Sequence, residues 1–408
     1  MLKRLRQRIL VYLAVLGPGV ITAVVDNDAG GIFMYSEAGA RFGYTLLWTM
    51  IPVTLVLVIT QVMCSRMAAV TGKGLSDLIR EEFGLRTTFF VMAALLLVNL
   101  TNITANFAGI AGSLELFGIH KYFSVPFGAV LVWTLVIHGT YRTVEKIFLV
   151  ASSFYVAYAI SAFLVRPDWP AAFRASVTPV VSLDGGYLTL LIGLVGTSVA
   201  PWMQFYLQAS IVEKGVDVKQ YSESRTEVIA GCIVMAFIKF FVIVACAGAI
   251  WSNGPREIHD VSEAAEALRP LGDYAYILFS AGLFNASLLA ASILPLSTAY
   301  SVCEGLGFES GVDHRFSEAK VFYWLYTLLI AVGAGLVLWP DFPIVRMILL
   351  SQVLNGFLLP VILILILILV NRRELMGKWV NSPIYNLLAY ATVALVIVLS
   401  VTLALVSG

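Results

Sequence analysis

The residues best able to do chemistry lie near the start of the chain, in Val24-Val25-Asp26-Asn27-Asp28-Ala29-Gly30-Gly31. Two carboxylates and an amide sit there inside an otherwise apolar stretch. A charged side chain at the centre of a membrane span costs about 2.5–3.5 kcal/mol or more, so such residues persist where they bind or pair with something. Gly30 and Gly31 each weaken a helix by roughly 1 kcal/mol relative to Ala. The helix is therefore expected to unwind here. Unwound backbone at membrane depth is tolerated only inside protein or beside a polar cavity. The stretch reads as half of a buried cation site. The plainer alternative is that Asp26 and Asp28 cap a half-helix or lie at the membrane interface.

A second interruption lies in Gly193-Leu194-Val195-Gly196-Thr197-Ser198-Val199-Ala200-Pro201-Trp202-Met203-Gln204. Pro201 removes a helical hydrogen bond and clashes with the turn before it. Taken alone it would be an ordinary kink. A third polar group is Ser351-Gln352-Val353-Leu354-Asn355, where Gln352 and Asn355 share a helix face. Amides inside a span either hold helices together or line a pathway.

These residues must be positioned by membrane helices. Of 408 residues, 60% are hydrophobic and 12% charged, against about 25% charged in a soluble domain. Eleven apolar stretches are long enough to span, at about 9–34, 44–65, 88–117, 122–138, 147–165, 187–210, 227–252, 274–303, 321–339, 345–370 and 384–406. Lys3, Arg4, Arg6 and Arg8 followed by an apolar run imitate a secretory leader. The run leads straight into Asp26-Asn27-Asp28 without a small-residue cleavage site, so a retained first span is expected. With the N-terminus cytoplasmic, 18 of the 26 Lys and Arg fall in inner segments and 7 in outer loops, with Lys239 inside a span. That bias predicts a cytoplasmic N-terminus and an outside C-terminus, in the plasma (inner) membrane. The outer loops at about 166–186 and 253–273 have room for short amphipathic helices. Cys64, Cys232, Cys246 and Cys303 lack CxxC spacing and read as core thiols.

Interrupted spans at corresponding positions of two halves point to a transporter site. The expected fold is an all-α polytopic membrane protein forming one transporter domain. Spans 1–5 (about 9–165) and 6–10 (about 187–370) would form inverted repeats, with an eleventh helix at about 384–406 outside them. Facing breaks would form one pocket at the midplane. Unwound carbonyls and half-helix C-terminal ends suit a cation, and Asp28 adds a full charge.

At these positions the chain resembles the Nramp family of divalent-metal transporters. Gly17-Pro18-Gly19 followed by Asp28-Ala29-Gly30-Gly31 is similar to the family's Gly-Pro-Gly and Asp-Pro-Gly-Asn motif. Ala200-Pro201-Trp202-Met203 stands in place of its Met-Pro-His-Asn motif, and Ser351-Gln352-Val353 with Leu359-Pro360 resembles its motif in the tenth span. The resemblance covers the whole chain. It implies the LeuT-like inverted-repeat fold and carriage of Mn²⁺ or Fe²⁺ with protons. The departures are as informative. Asp28 is kept, but Gly31 replaces the metal-binding Asn, Ala200 the metal-binding Met and Trp202 the His. Asn106 stands where the family tends to carry an acid, in a third span without charges from Thr87 to Leu114. This set resembles the Nramp-related magnesium transporter branch.

Chemistry leads the same way. A thioether favours soft transition metals, whereas carboxylate, carbonyl and water suit Mg²⁺. Gly31 and Ala200 are expected to enlarge the pocket for a partly hydrated ion. Asp28 would contact the ion or its water. By resemblance, the carbonyls of Val25 and Thr197 and the amide of Gln352 complete the shell. Asn27 is added because it adjoins Asp28. Met203, about 300° around a regular helix from Ala200, is not expected to replace the lost sulfur. His120, His138, His259 and His314 all fall at span ends or in loops. No proton pathway is expected, since Trp202 and Asn106 replace the family's titratable positions. The alternative is that Asp26 or Asp28 carries protons alone. Lys239 is expected either to snorkel or to pair with a buried carboxylate that the sequence does not identify.

The predicted function is secondary transport of Mg²⁺, and of Mn²⁺ alongside it, by alternating access without proton coupling. Ca²⁺, with its larger shell, would be disfavoured. The first alternative is a proton-coupled Mn²⁺/Fe²⁺ transporter, and the second a sodium-coupled organic-solute carrier of the same fold. Two acids at the break would repel a substrate carboxylate. A paired-carboxylate enzyme lacks a His or nucleophile partner, and a channel fits two broken helices less well than a carrier. No cofactor and no obligatory protein partner are expected. The partners are the ions and the lipid bilayer. A net charge of +1 gives nucleic acid no basic face.

Overall fold

Hydrocarbon offers backbone N–H and C=O groups no partners, so an apolar chain of this kind must satisfy them within helices. The computed structural model describes residues 17–138, 141–258, 263, 265, 273–340 and 342–407, and among them all regular structure is helical. The first span is divided into α1 (Pro18–Val25) and α2 (Ala29–Phe42). There follow α3 (Met50–Thr71), α4 (Leu75–Glu115), α5 (Lys121–Ile137), α6 (Tyr141–Ser152), α7 (Val156–Leu164) and α8 (Trp169–Val177). The sixth span is divided into α9 (Gly185–Ser198) and α10 (Pro201–Glu213). The chain continues through α11 (Tyr221–Ala249), α12 (Asp273–Leu306), α13 (Lys320–Leu338), α14 (Ile344–Asn371), α15 (Arg373–Met376) and α16 (Pro383–Ser407).

Among the described residues, eight helices are long and apolar enough to cross a membrane, and Lys121–Ile137 and Pro383–Leu399 are shorter apolar helices. With the divided first span, helix occupies each of the eleven expected stretches. The start of the first stretch, the basic residues before it, His259 and most of the 253–273 loop lie outside the described residues.

Two boundaries differ from expectation. The third helix begins at Leu75 rather than near 88, with one break at Gly84 (φ 78°). Its first turns carry Asp77, Arg80, Glu81 and Glu82, which lower hydropathy; Arg and Glu form helix readily, and Asp77 suits the first turn. The fifth begins at Tyr141 rather than 147 and passes through a 3₁₀ turn at Ser153–Tyr155 into α7. The loop at 166–186 does hold a helix, α8, capped by Asp168, whose Oδ1 accepts from Ala171 N at 3.0 Å.

The long helices α4 and α12 pack along one another, and α14 lies against α4 and α9. Helix α11 packs on both halves of the first span and on α3. The two interruptions are thus enclosed by helices. Bulky apolar residues on the outer faces, such as Phe90, Leu97, Phe123 and Phe237, are exposed, as a lipid-facing surface requires. The four cysteines are buried and free.

Candidate cation-binding site

The first break is built by side chains that replace helical backbone bonds. Asp28 is extended (φ −75°, ψ −176°) and caps α2, its Oδ1 accepting from Gly31 N at 2.7 Å. In a continuous helix the N–H of Ala29 would bond the carbonyl of Val25. Here it donates to Oδ1 of Asn106 at 3.0 Å, which takes the helical donor away from Val25. The amide nitrogen of Asn106 donates to Asp28 Oδ2 at 2.9 Å and to the Asn102 carbonyl at 2.9 Å. One amide on α4 therefore bridges the break and orients its carboxylate.

The second break has a covalent cause. Pro201 starts α10 and has no N–H, so the carbonyl of Thr197, four residues earlier, has no helical donor. Ala200 caps α10, and its carbonyl accepts from Met203 N at 3.1 Å. Both breaks thus release a carbonyl, at Val25 and at Thr197.

The breaks meet at glycines. A methyl group on Gly31 would lie 2.9 Å from the Asp26 carbonyl oxygen and 3.1 Å from Thr197 Oγ1. A methyl group on Gly30 would collide with the Gln352 amide and lie 3.3 Å from Asp28 Oδ1. Gly196 is pressed against the α14 backbone at Gln352 and Gly356. An amide cluster joins α4 to α14. Asn102 Nδ2 donates to Asn355 Oδ1 at 3.2 Å, while Gln352 Nε2 and Asn355 Nδ2 donate to Asn102 Oδ1 at 3.3 and 3.2 Å. Asn355 also donates to Gln352 Oε1 at 3.3 Å.

All the expected site residues, Val25, Asn27, Asp28, Gly31, Thr197, Ala200 and Gln352, are buried in one region of the core. One expectation is corrected. The missing side chain at Gly31 does not enlarge a pocket, because the Asp26 carbonyl and the Thr197 hydroxyl occupy that space. Glycine instead lets oxygens of two helices approach. Asn27 is fully buried, and both its side-chain polar atoms lack a protein partner. Such an orphaned amide is costly unless something else satisfies it. Its backbone carbonyl accepts from Tyr155 OH at 3.2 Å. Among the described residues no group of three His, Cys, Asp or Glu is arranged to hold a metal. The available donors are carboxylate, amide and carbonyl oxygens.

Three contacts escaped the sequence reading. Lys239 Nζ lies 3.4 Å from Asp26 Oδ2, with both side chains buried. Glu227 on α11 accepts from the N–H groups of Gly17, Gly19 and Val20 at 3.1, 3.1 and 2.7 Å, so it caps α1. Asn102 joins the third motif to the Asn106 bridge. A carboxylate at the start of the seventh span, whose one other charge is Lys239, was the available signal for Glu227.

Comparison with known proteins places this geometry. The profile of the Nramp family, described as natural resistance-associated macrophage protein-like, matches residues 19–406. The chain belongs to the Nramp family. It is 25% identical to the divalent metal cation transporter MntH of Yersinia pestis over 398 residues, covering 95% of this chain and 93% of that protein. It is 28% identical to the MntH of Ralstonia nicotianae over 403 residues, covering 93% and 88%. The crystal structure of the Eremococcus coleocola manganese transporter, in complex with an aromatic bis-isothiourea substituted compound, superposes with a TM-score of 0.74 at 19% identity. It matches 95% of this chain and 85% of that one. The closed conformation of Mhp1, a nucleobase-cation-symport-1 family transporter, superposes with a TM-score of 0.62 at 15% identity, covering 96% and 90%. This Nramp chain therefore has the LeuT-like fold and is a multi-pass membrane protein. Within it, the Nramp helix interruptions are the two breaks at Asp26–Asp28 and Val199–Ala200.

Proposed function

We propose that the chain is a secondary transporter carrying Mg²⁺, with Mn²⁺ as a second substrate, by alternating access and without obligatory proton exchange. The ion lies between the two breaks, held by Asp28, Asn27 and the carbonyls of Val25 and Thr197; Gln352, whose Nε2 faces Gly30 in this structure, joins them by turning its amide oxygen inward. Water completes its shell, since Mg²⁺ demands six oxygens and gives up water reluctantly.

The observation that carries this reading is the donor set. Two helix carbonyls have lost their donors, an orphaned buried amide adjoins them, and a carboxylate is fixed beside them. All are oxygen donors, and Ala200 contributes only a methyl group. Hard oxygen donors suit Mg²⁺ and Mn²⁺, while a site without a thioether gives up the preference for softer metals. The relatives named as divalent metal and manganese transporters support a divalent cation as substrate. The uncoupled reading rests on Asn106 and Trp202, neither of which titrates. The relatives' names favour Mn²⁺ as substrate, and two buried carboxylates at the first break are the feature that favours proton coupling.

The test is Mg²⁺ uptake into proteoliposomes with internal pH recorded, using Asp28→Asn as control. Asn keeps the helix cap and removes the charge. Uptake without acidification, lost in the variant, is expected. Uptake with proportionate acidification overturns the coupling argument. Mn²⁺ uptake without Mg²⁺ uptake overturns the substrate.

A further inference from the structure

The first break holds two carboxylates, and the structure treats them differently. Asp28 is oriented by Gly31 N and by Asn106, and it faces Gly30 next to the Gln352 amide. Asp26 turns its Oδ2 to Lys239, a residue 213 positions away on α11. The lysine side chain is 4% exposed and that of Asp26 1%, so the lysine does not snorkel to a membrane surface. Its ammonium also lies 5.5 Å from the ring centroid of Tyr35 on α2, a second attraction that holds the charge in place. A buried ion pair adds little net stability, because desolvation offsets its Coulomb gain. Packing alone therefore gives little reason to keep this pair next to a cation site.

We propose that Lys239 is a specificity-determining residue of the divalent-cation site: its ammonium holds the Asp26 carboxylate out of the coordination shell, so that the ion meets one free carboxylate rather than two. This rests on the reading of the breaks as a divalent-cation site. With Lys239 in place and all three groups ionised, Asp26, Asp28 and Lys239 together carry a net charge of −1. Such a site binds a divalent ion and still releases it, which a carrier requires. Ligand charge count, with site rigidity, sets affinity in oxygen sites. A second, bidentate carboxylate would favour Ca²⁺ most, because Ca²⁺ takes six to eight oxygens in flexible geometry whereas Mg²⁺ takes six. Lys239 thereby acts against Ca²⁺ without touching the ion.

The experiment is calorimetric titration of the purified full-length protein with MgCl₂, MnCl₂ and CaCl₂ at fixed pH. Wild type is compared with Lys239→Met, Asp26→Asn and the double variant. Lys239→Met is expected to bind Ca²⁺ at least about tenfold more tightly, with a smaller gain for Mg²⁺. Asp26→Asn leaves an unpaired ammonium beside Asp28 and is expected to bind all three ions more weakly, by about tenfold. The double variant is expected to return to within about threefold of wild type, since the net charge is restored. Ca²⁺ affinity in Lys239→Met that is unchanged or lower overturns the proposal. If Lys239→Met cannot be purified folded, the other two variants decide. Weaker binding by Asp26→Asn than by the double variant supports the proposal, and equal binding overturns it. If wild type binds none of the three ions, the cation-site reading itself fails. If wild type binds them but the variants do not separate, only the role of Lys239 fails.

Discussion

Replacing Asn106 by Leu tests the geometry of the site most directly. Leucine nearly matches asparagine in size but offers no hydrogen bonds. The variant loses the donor to Asp28 Oδ2 at 2.9 Å and the acceptor for Ala29 N at 3.0 Å. A hydrogen bond to a charged group is worth about 1.5–3 kcal/mol net. At 1.4 kcal/mol per factor of ten, that corresponds to roughly 10–150-fold in affinity if the carboxylate loses its orientation. Partners that orient metal-binding carboxylates typically contribute about 10–100-fold, so the two routes agree. The orphaned Ala29 N–H adds a separate stability cost of about 1–3 kcal/mol. The assay is Mg²⁺ titration of purified protein, with thermal unfolding in parallel. Asn371→Ala serves as control, because Asn371 and Asn386 exchange amide hydrogen bonds at 2.9 and 2.8 Å between α14 and α16. The control should lose some stability and no affinity. A folded Asn106→Leu protein that binds Mg²⁺ within about threefold of wild type would refute the reasoning. Either Asn106 does not set the carboxylate, or Asp28 does not meet the ion.

Three further outcomes are expected. Glu227→Ala strips three backbone donors of their acceptor, costing roughly 3 kcal/mol or more; amide hydrogen exchange over α1 should accelerate sharply, while Glu227→Gln, which keeps one acceptor oxygen, should be milder. Gly196→Ala would press a methyl group onto the α14 backbone, 2.9 Å from Gly356 N; overpacking of this kind costs about 1–3 kcal/mol, so Tm should fall. The reciprocal Gly356→Ala finds its nearest neighbour, Ile192 Cγ2, at 3.4 Å and should be tolerated. Ala200→Met places a thioether at the second break and should raise Mn²⁺ or Cd²⁺ affinity relative to Mg²⁺ by about tenfold in competition titrations; unchanged selectivity would place Ala200 away from the ion.

The sequence by itself determined the helices and where two of them break. Those features are local. Hydropathy over about 20 residues selects a span, and Pro201 deletes a hydrogen bond wherever the helix lies. The residue types at Asp28, Asn106, Ala200 and Trp202 likewise limit the available chemistry without any knowledge of the fold. The tertiary structure alone decided which of those groups face one another. Asn106 reaches Asp28 from 78 positions away, Glu227 reaches Gly17 from 210, and Asn102 reaches Asn355 from 253. No periodicity within a helix encodes such pairings, since they depend on how one helix rotates and slides against another. Gly31 shows the difference most clearly. Its missing side chain suggests empty space when read along the chain. In the packed structure, oxygens from two helix breaks fill that space, because glycine lets backbones approach where any Cβ would keep them apart. Lys239 shows it too. As a lone charge in an apolar span it had no assignable partner. Packing α11 against both halves of the first span sets it beside Asp26.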